Sequence, residues 1–233
     1  FEMPLAWFDT SLRGLALWAL AAIAWDFLYY WFHRFSHEIS ILWAAHAVHH
    51  QSEEYNLSTA LRQTSTGFLF GWIFYLPLFV IGFPLEVVLT VNAANLLYQF
   101  WVHTEHVPKL GWYEWFFVTP SNHRVHHAQN VRYMDTNYNS ITLLGDWLMG
   151  TLQKLDDREP VRFGITRDVN TASFWDVHFG EFVLLWRDLR RAPNLRTALG
   201  YLFAAPGWRP MAGHVRVYWA PPIQWRSLIS STG

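Results

Sequence analysis

The feature that most limits the fold is an almost wholly apolar stretch over residues 12–32. At about 1.5 Å per residue, a helix of this length covers the roughly 30 Å hydrocarbon layer of a bilayer, which predicts a transmembrane helix. A second apolar stretch, 67–102, is interrupted at Gly82-Phe83-Pro84. Glycine and proline end helices, so this stretch predicts a helical hairpin with legs at about 60–81 and 85–106, each close to spanning length.

The hairpin places all the histidine-rich motifs at one end of the predicted helices. Of the seventeen basic residues, Arg13 alone falls on the opposite side, whereas the short connections near the histidines carry Arg34, Arg62 and Lys109. Basic residues in short loops favour the cytoplasmic side of a membrane. We therefore expect an integral, multi-pass membrane protein whose histidines lie at the cytoplasmic face.

The composition agrees with a membrane protein, because 52% of the residues are hydrophobic and 15% are charged. A formal net charge of -1 provides no excess of positive charge to face phosphates, so we expect no nucleic-acid partner. The chain has no cysteine, which excludes disulfides and zinc fingers. Any metal site must therefore use His, Asp or Glu.

We expect one all-α domain over residues 1–233, a membrane helical bundle at 10–127 followed by a mainly helical cytosolic cap at 128–233. Apolar residues at helical spacing in 174–191, followed by arginines, predict a helix at the membrane surface or an amphipathic helix that covers the cap. The chain begins at Phe1 without a signal-peptide pattern. We therefore expect its natural ends to lie beyond the sequence given.

Nine of the twelve histidines are clustered and are predicted metal ligands: His33, His37, His46, His49, His50, His103, His123, His126 and His127. Residues three and four apart share a helix face, so each cluster can aim several imidazoles at one point. A three-histidine motif occurs twice, as HAVHH at 46–50 and HRVHH at 123–127, which indicates two metal ions. Imidazole binds iron, copper, zinc and nickel. Iron is favoured, because two octahedral ions need many ligands and a catalytic zinc takes three.

Several further residues are candidates for supporting roles. Asp26 lies inside the first apolar stretch, where an ionisable group is costly. We expect it to bond an imidazole from another helix, with helix pairing as the alternative. His106 is either a tenth ligand or a solvated residue at a helix end, and Glu38 is a candidate base, cofactor contact or helix-end charge. His178 and His214 stand alone in the cap and are expected to have no metal role.

The order of three histidine motifs resembles the fatty acid hydroxylase and sterol desaturase superfamily of membrane di-iron enzymes: HRFSH at 33–37, HAVHH at 46–50 and HRVHH at 123–127. The runs DFLYYWFHRFSHE, HHQSEEYNLSTALRQ, NLLYQFWVHTE and TPSNHRVHHAQN are most similar to its alkylglycerol monooxygenase group and that group's bacterial relatives. The resemblance implies two iron ions, O2 as co-substrate and a lipid substrate. It also implies an external reductant, either tetrahydrobiopterin or an electron-donor protein, and Glu38 is the candidate to contact the pterin.

The activity implied by the resemblance is hydroxylation of a lipid C–H bond, at the carbon next to the ether oxygen of an alkylglycerol, which cleaves the ether. Hydroxylation or desaturation of a sterol, an acyl chain or an aminolipid is the alternative, because these reactions begin with the same hydrogen abstraction. A membrane metal carrier without turnover is a further alternative. Transport would require ionisable residues along a path across the membrane, whereas these histidines gather at one face.

Overall fold

A computed structural model of the chain describes residues 11–63 and 66–210. Its α-helices, in chain order, are α1 (Leu12–Glu38), α2 (Ser40–His50), α3 (Leu57–Leu61), α4 (Phe68–Ile81), α5 (Leu85–Val102), α6 (Pro120–His126), α7 (Leu144–Met149), α8 (Phe174–Arg190) and α9 (Leu195–Phe203). Within these ranges there is no β-strand, and two isolated bridges join Phe117 to Thr142 and Ala128 to Phe163. The described residues thus confirm the predicted all-α class. His214 lies outside them.

The first helix, α1, is longer than the predicted span. It begins after Ser11, whose side chain accepts a hydrogen bond from the Gly14 amide, and it continues to Glu38. Its 27 residues correspond to about 40 Å. Among the described residues, α1 is the one helix that is long and apolar enough to cross a membrane, by length and composition alone. Ile39 is extended, and α2 starts directly after it, so the chain bends where the histidine motifs begin.

The predicted hairpin is present, but its first leg is shorter than the predicted 60–81. The helix α4 has 14 residues and a length of about 21 Å, because the chain leaves helical geometry at Arg62. Gly82 ends α4 with a φ of 103°, a left-handed conformation that glycine adopts without a steric penalty. Pro84 then precedes α5, whose 18 residues cover about 27 Å. The second leg ends at Val102 rather than at residue 106.

An apolar core holds α1, α4 and α5 together. It comprises Ala21, Trp25, Leu78, Val87, Val88 and Val91. The Trp25 indole also stacks on the Tyr75 ring at a centroid distance of 3.9 Å. The outward faces of the three helices remain apolar and exposed, including Val80 at 88% and Leu97 at 76%. Such extensive exposed apolar surface is unusual in a water-soluble monomer.

The second half of the chain packs against the histidine-bearing end of the bundle. The helix α8 lies against α2 and α9, and α7 lies against α1. The helix predicted at 174–191 is confirmed as α8. The described part of the predicted cap, residues 128–210, is less helical than expected, because long irregular segments at 128–143 and 151–173 separate its helices. Polar side chains from α1 and α7 satisfy part of this irregular backbone, as described below.

Candidate metal centre

Four parts of the fold bring the nine histidines together. The last turns of α1 carry His33 and His37, and α2 carries the HAVHH motif. His103 directly follows the last residue of α5. The short helix α6 carries the HRVHH motif, with His127 at its C-terminal cap. All nine side chains are buried or nearly so.

The short helix α6 is fixed by strong start signals. Thr119 and Asn122 form a capping box, and Pro120 occupies the first helical position, where its missing N–H is not needed. The Thr119 hydroxyl also donates to Glu114 at 2.9 Å. These contacts stabilise a helix of seven residues that would be marginal on its own. The position of α6 in turn sets where its histidines point.

The histidines form two groups, each with candidate ligand nitrogens that all lie within 4.8 Å of one another. The five-histidine group consists of His33, His37, His46, His50 and His126, and the four-histidine group consists of His49, His103, His123 and His127. The prediction that each HxxHH motif aims its three imidazoles at one point is wrong. In both motifs the two residues four apart share a group, and the remaining histidine joins the other group.

Hydrogen bonds at the outer ring nitrogens assign the tautomers of three histidines. The Nδ1 atoms of His33, His126 and His103 lie 2.7, 2.9 and 2.6 Å from the carbonyl oxygens of Tyr138, Thr136 and Gln99. A carbonyl oxygen only accepts, so each Nδ1 carries the proton and donates it. The Nε2 lone pair of a neutral imidazole is then free to bind a metal ion.

The inner nitrogens fit a metal ion in each group. Nε2 of His46 lies 3.1 Å from Nε2 of both His33 and His50. In the other group, Nε2 of His103 lies 3.2 and 3.0 Å from Nε2 of His49 and His123. Two nitrogens at right angles, each about 2.1 Å from one ion, would be roughly 3.0 Å apart. The observed spacings are therefore those of neighbouring ligands on one ion.

Buried nitrogen atoms without a hydrogen-bond partner are a second indication of a metal site. The Nε2 atoms of His37, His126 and His127 are buried and have no hydrogen-bond partner in the described structure. A buried polar atom without a partner is costly, and a bound cation would satisfy each lone pair. Among the described residues, the nine histidines thus supply nitrogen donors for two metal ions of a kind that binds imidazole.

Burial favours the neutral form of the imidazoles on α2 and α6. Burial, together with the nearby His103, lowers the pKa of His49 to about 3. Burial and neighbouring imidazoles also lower the pKa of the histidines on α2 and α6 well below the usual range: His46, His50, His123, His126 and His127. Neutral imidazole is the form that binds metal, so the site is prepared for metal ions at neutral pH.

The structure corrects the predicted partner of Asp26. Its carboxylate is 3% exposed and accepts hydrogen bonds from residues 139–142, with no imidazole among its hydrogen-bond partners in the described structure. Glu38 is half-buried and accepts from Arg34 Nε at 2.9 Å, in an ion pair one helical turn apart. His106 is exposed and belongs to neither group, and His178 lies on α8 and also belongs to neither group. These positions favour the helix-end interpretation of His106.

Four features around the candidate centre were not predicted from the sequence. Asp146 is fully buried on α7, and burial raises its pKa to about 6, so it is ionised at neutral pH. Asp135 Oδ1 lies 3.7 Å from His37 Nδ1. The other two are the backbone carbonyls of Thr136 and Tyr138, which carry no side-chain signal. An acidic residue next to apolar neighbours in LLGDWLM was the available signal for Asp146.

A cavity of about 810 Å³ adjoins the five-histidine group. His37, His50, His126 and His127 form part of its wall. The charged residues in its lining are Arg34, Glu38, Asp135, Arg167, Glu181, Asp188 and Arg209. Its three arginines are each paired with an acid, Arg34 with Glu38, Arg167 with Glu181 and Arg209 with Asp188. The cavity is large enough for a small organic molecule next to the histidines.

The described residues form an all-helical fold with a buried histidine centre suited to metal ions. The profile of the fatty acid hydroxylase family matches residues 18–151, which include all nine histidines. The chain belongs to the fatty acid hydroxylase family. The resemblance seen in the sequence motifs is therefore confirmed.

Named relatives narrow the comparison. The chain is 42% identical over 193 residues to alkylglycerol monooxygenase of Xenopus tropicalis and 45% identical over 193 residues to that of Danio rerio, and each match covers 83% of this chain and 43% of the relative. It is 29% identical over 152 residues to the ornithine lipid hydroxylase OlsE of Rhizobium tropici, covering 62% of this chain and 44% of the relative. The chain thus spans less than half the length of these relatives. No solved structure matches it.

Proposed function

We propose that the chain forms the catalytic centre of a membrane monooxygenase that hydroxylates a lipid C–H bond with O2. The proposed position is the carbon next to the ether oxygen of an alkylglycerol. The observation that carries this proposal is the pair of buried histidine groups, with their free Nε2 lone pairs, in a chain similar to alkylglycerol monooxygenases. Hydroxylation at that carbon gives a hemiacetal, which separates into an aldehyde and glycerol.

Two iron ions are the proposed cofactors, one held by each histidine group. When bound, iron would supply the activation of O2, with one oxygen atom entering the lipid and the other leaving as water. This balance requires two electrons and two protons from a reductant, for which tetrahydrobiopterin or an electron-donor protein is proposed. Imidazole-rich sites are compatible with iron, and the carbonyl contacts of His33, His126 and His103 aim their lone pairs inward.

The cavity beside the five-histidine group is the proposed site for the reacting molecules. Its wall contains His37, His50 and His126, so a molecule bound there would be next to candidate metal ligands. The ion pair of Glu38 with Arg34 lies in the same wall, which supports Glu38 as the proposed contact of the reductant. The side chains around the cavity would orient the lipid and limit access of water.

A bilayer position for α1, α4 and α5 is part of the proposal. Their exposed apolar faces would contact lipid, and the hairpin turn at Gly82 would lie on the side opposite the histidines. Basic residues near the histidine end support a cytoplasmic centre. A substrate with a long alkyl chain could then approach from the bilayer while its polar end meets the polar part of the fold.

A second candidate is hydroxylation or desaturation of another lipid, and the similarity to an ornithine lipid hydroxylase favours an aminolipid. Asp135 is the one acid of the cavity wall that has no arginine partner among the described residues, and its carboxylate is compatible with an amino group. An alkylglycerol has no charge for this carboxylate to bind. The two candidates therefore differ in the head group that the cavity would select.

The test uses purified protein in detergent or nanodiscs, loaded with iron and supplied with a reduced pterin or another donor under ¹⁸O2. Alkylglycerols, aminolipids, sterols and acyl lipids are compared, and any aldehyde is reduced at once to an alcohol so that its label cannot exchange with water. The proposal predicts ¹⁸O in the alcohol derived from the alkylglycerol. Label in another lipid would favour the second candidate.

Two histidine variants provide matched controls for this assay. His126→Ala should lose the iron of the five-histidine group together with the labelled product, because His126 belongs to that group. His106→Ala should keep both, because His106 is exposed and outside the groups. A protein that holds zinc alone and labels no lipid with any donor would overturn the oxygenase proposal.

A further inference from the structure

The carbonyl groups that orient His126 and His33 come from one short segment, residues 135–138. Thr136 O accepts from His126 Nδ1, and Tyr138 O accepts from His33 Nδ1. Both histidines belong to the five-histidine group. The orientation of two of its five imidazoles therefore depends on the backbone conformation of residues 135–138, which supply no metal ligand themselves.

The same segment has an unfavourable backbone conformation. Asp135 has a φ of 56° and Asn137 a φ of 58°, so both have a left-handed backbone conformation although neither is glycine. They directly precede Thr136 and Tyr138. Residues other than glycine seldom adopt this conformation, although Asn and Asp tolerate it better than most. Such a conformation persists only where surrounding contacts determine it. A relaxed segment would turn its carbonyls away from the histidines.

Two buried carboxylates hold the backbone that follows. Asp146 accepts from the amides of Tyr138 and Asn139 at 2.8 and 2.9 Å. Asp26 accepts from the amides of Ile141 and Thr142 at 3.0 and 3.1 Å. Because Asp146 lies on α7 and Asp26 lies in the middle of α1, the backbone at 138–142 is fixed from two sides.

Side chains complete this clamp. Asn139 Nδ2 and Ser140 Oγ donate to Asp26, and Asn139 Oδ1 accepts from the Asp146 amide. Thr151 Oγ1 donates to Asp146 at 2.7 Å. Both carboxylates are almost fully buried, at 3% and 0% exposure, so water cannot replace a lost contact. Loss of Asp146 would leave two buried backbone amides without an acceptor, and loss of Asp26 would leave two partly buried ones.

The four-histidine group does not depend on this segment in the same way. His103 Nδ1 donates to Gln99 O, a carbonyl of the preceding turn of α5. None of its four histidines is hydrogen-bonded to residues 135–142 in the contacts that the structure describes. The support of the two groups is thus unequal.

We propose that Asp26 and Asp146 are positioning residues that act on the five-histidine group alone, by holding residues 135–142 so that Thr136 O and Tyr138 O fix His126 and His33. The inference rests on the proposed function, in which each group holds one iron ion. Loss of either carboxylate should weaken iron binding in the five-histidine group by roughly 10- to 100-fold, the usual effect of removing support behind a metal ligand. The iron of the four-histidine group should remain.

The test measures iron content and the ⁵⁷Fe Mössbauer spectrum of the full chain after growth with ⁵⁷Fe. Asp26→Asn and Asp146→Asn are compared with His33→Ala and His123→Ala, which remove one ligand from each group. Both Asp→Asn variants should hold about half the iron of the unchanged chain and should lack the signal that His33→Ala lacks. Asp157→Asn removes an exposed carboxylate paired with Lys109 and should change neither measurement.

The milder Asn139→Ala variant covers the case in which neither Asp→Asn variant folds. It removes one donor to Asp26 and the acceptor of the Asp146 amide, and it leaves the clamped backbone amides in place. A chelator should extract the iron of the five-histidine group several times faster from this variant than from the unchanged chain. Equal extraction rates would overturn the inference. Asp→Asn variants that keep their full iron content would also overturn it, as would Asp→Asn variants that lack the same spectral signal as His123→Ala.

The outcomes separate the inference from the proposed function. An unchanged chain that binds two iron ions but labels no lipid would overturn the monooxygenase while leaving the positioning role open to confirmation by the spectra. An unchanged chain that binds no iron would overturn both. An active chain whose Asp→Asn variants keep both iron signals would overturn the positioning role alone.

Discussion

His46 and His49 lie three residues apart on α2, with ring centroids 5.5 Å apart, and yet their imidazoles belong to different groups. On an α-helix, a side chain four positions further along is rotated by about 40° from the first side chain, and one three positions along is rotated by about 60° in the opposite direction. His46 and His50 therefore face one group, and His49 faces the other. The helix α2 thus supplies ligands to both groups.

Substitution of these two histidines should remove different metal ions. His46→Ala should lose the iron of the five-histidine group, and His49→Ala the iron of the four-histidine group, because each removes a ligand from one group only. Each variant should retain about one of two ions, and the double variant should retain none. Mössbauer spectra check this, and identical spectra for the two single variants would contradict the assignment of the groups.

The stability of the metal-free protein should fall as the pH falls below about 6.5. The histidines of α2 and α6 have lowered pKa values when folded, with His49 at about 3, whereas unfolded histidine has a pKa of about 6.5. Below pH 6.5 the unfolded chain binds more protons, so each such histidine loses about 1.4 kcal/mol of stabilisation per pH unit until its folded pKa is reached. Above pH 6.5 both states are neutral, and this contribution is complete.

Asp146 acts in the opposite direction, since its folded pKa of about 6 is raised and its protonation stabilises the folded state between about pH 6 and 4. One carboxylate cannot offset several histidines. Unfolding midpoints of the metal-free protein at pH 7.5, 6.5 and 5.5 measure the balance. A midpoint that stays constant over this range would show that the histidines are not buried as described.

The left-handed conformation of Asn137 should be visible in stability. Asn137→Ala and Asn137→Gly both remove the side-chain hydrogen bonds to Asn122 O and Gln153 O, but only alanine keeps a Cβ at a φ of 58°. The alanine variant should therefore be less stable than the glycine variant by about 1 kcal/mol, even though glycine is more flexible when unfolded. Denaturation midpoints of the two variants test this, and a more stable alanine variant would contradict it.

The proposed topology places the two ends of α5 on opposite sides of the membrane. Glu86 and Glu105 are exposed residues near these ends, and the chain has no cysteine to interfere with labelling. In intact cells, a membrane-impermeant thiol reagent should label Glu86→Cys, and it should label Glu105→Cys only after permeabilisation. The reverse pattern would place the histidines outside, and labelling of both in intact cells would indicate that α5 does not cross the membrane.

The sequence by itself determined the main helices and the nine candidate ligands. Apolar residues and a Gly-Phe-Pro break act locally, so α1, the hairpin and α8 follow from the nearby sequence. Histidines spaced three and four apart indicate a metal site for the same reason, because spacing along one helix sets which side chains can meet. The first hairpin leg was predicted too long, since apolar composition does not show where a helix begins.

Only the tertiary structure decided how the ligands divide and what supports them. Periodicity shows which residues share a helix face, but the opposing element depends on long-range packing, so the separation of His46 from His49 could not be predicted. The bonds of Asp26 to residues 139–142 join positions more than 110 residues apart. Every residue has a backbone carbonyl, so the sequence does not mark those of Thr136 and Tyr138 as special. The folded structure alone brings these two carbonyls to His126 and His33.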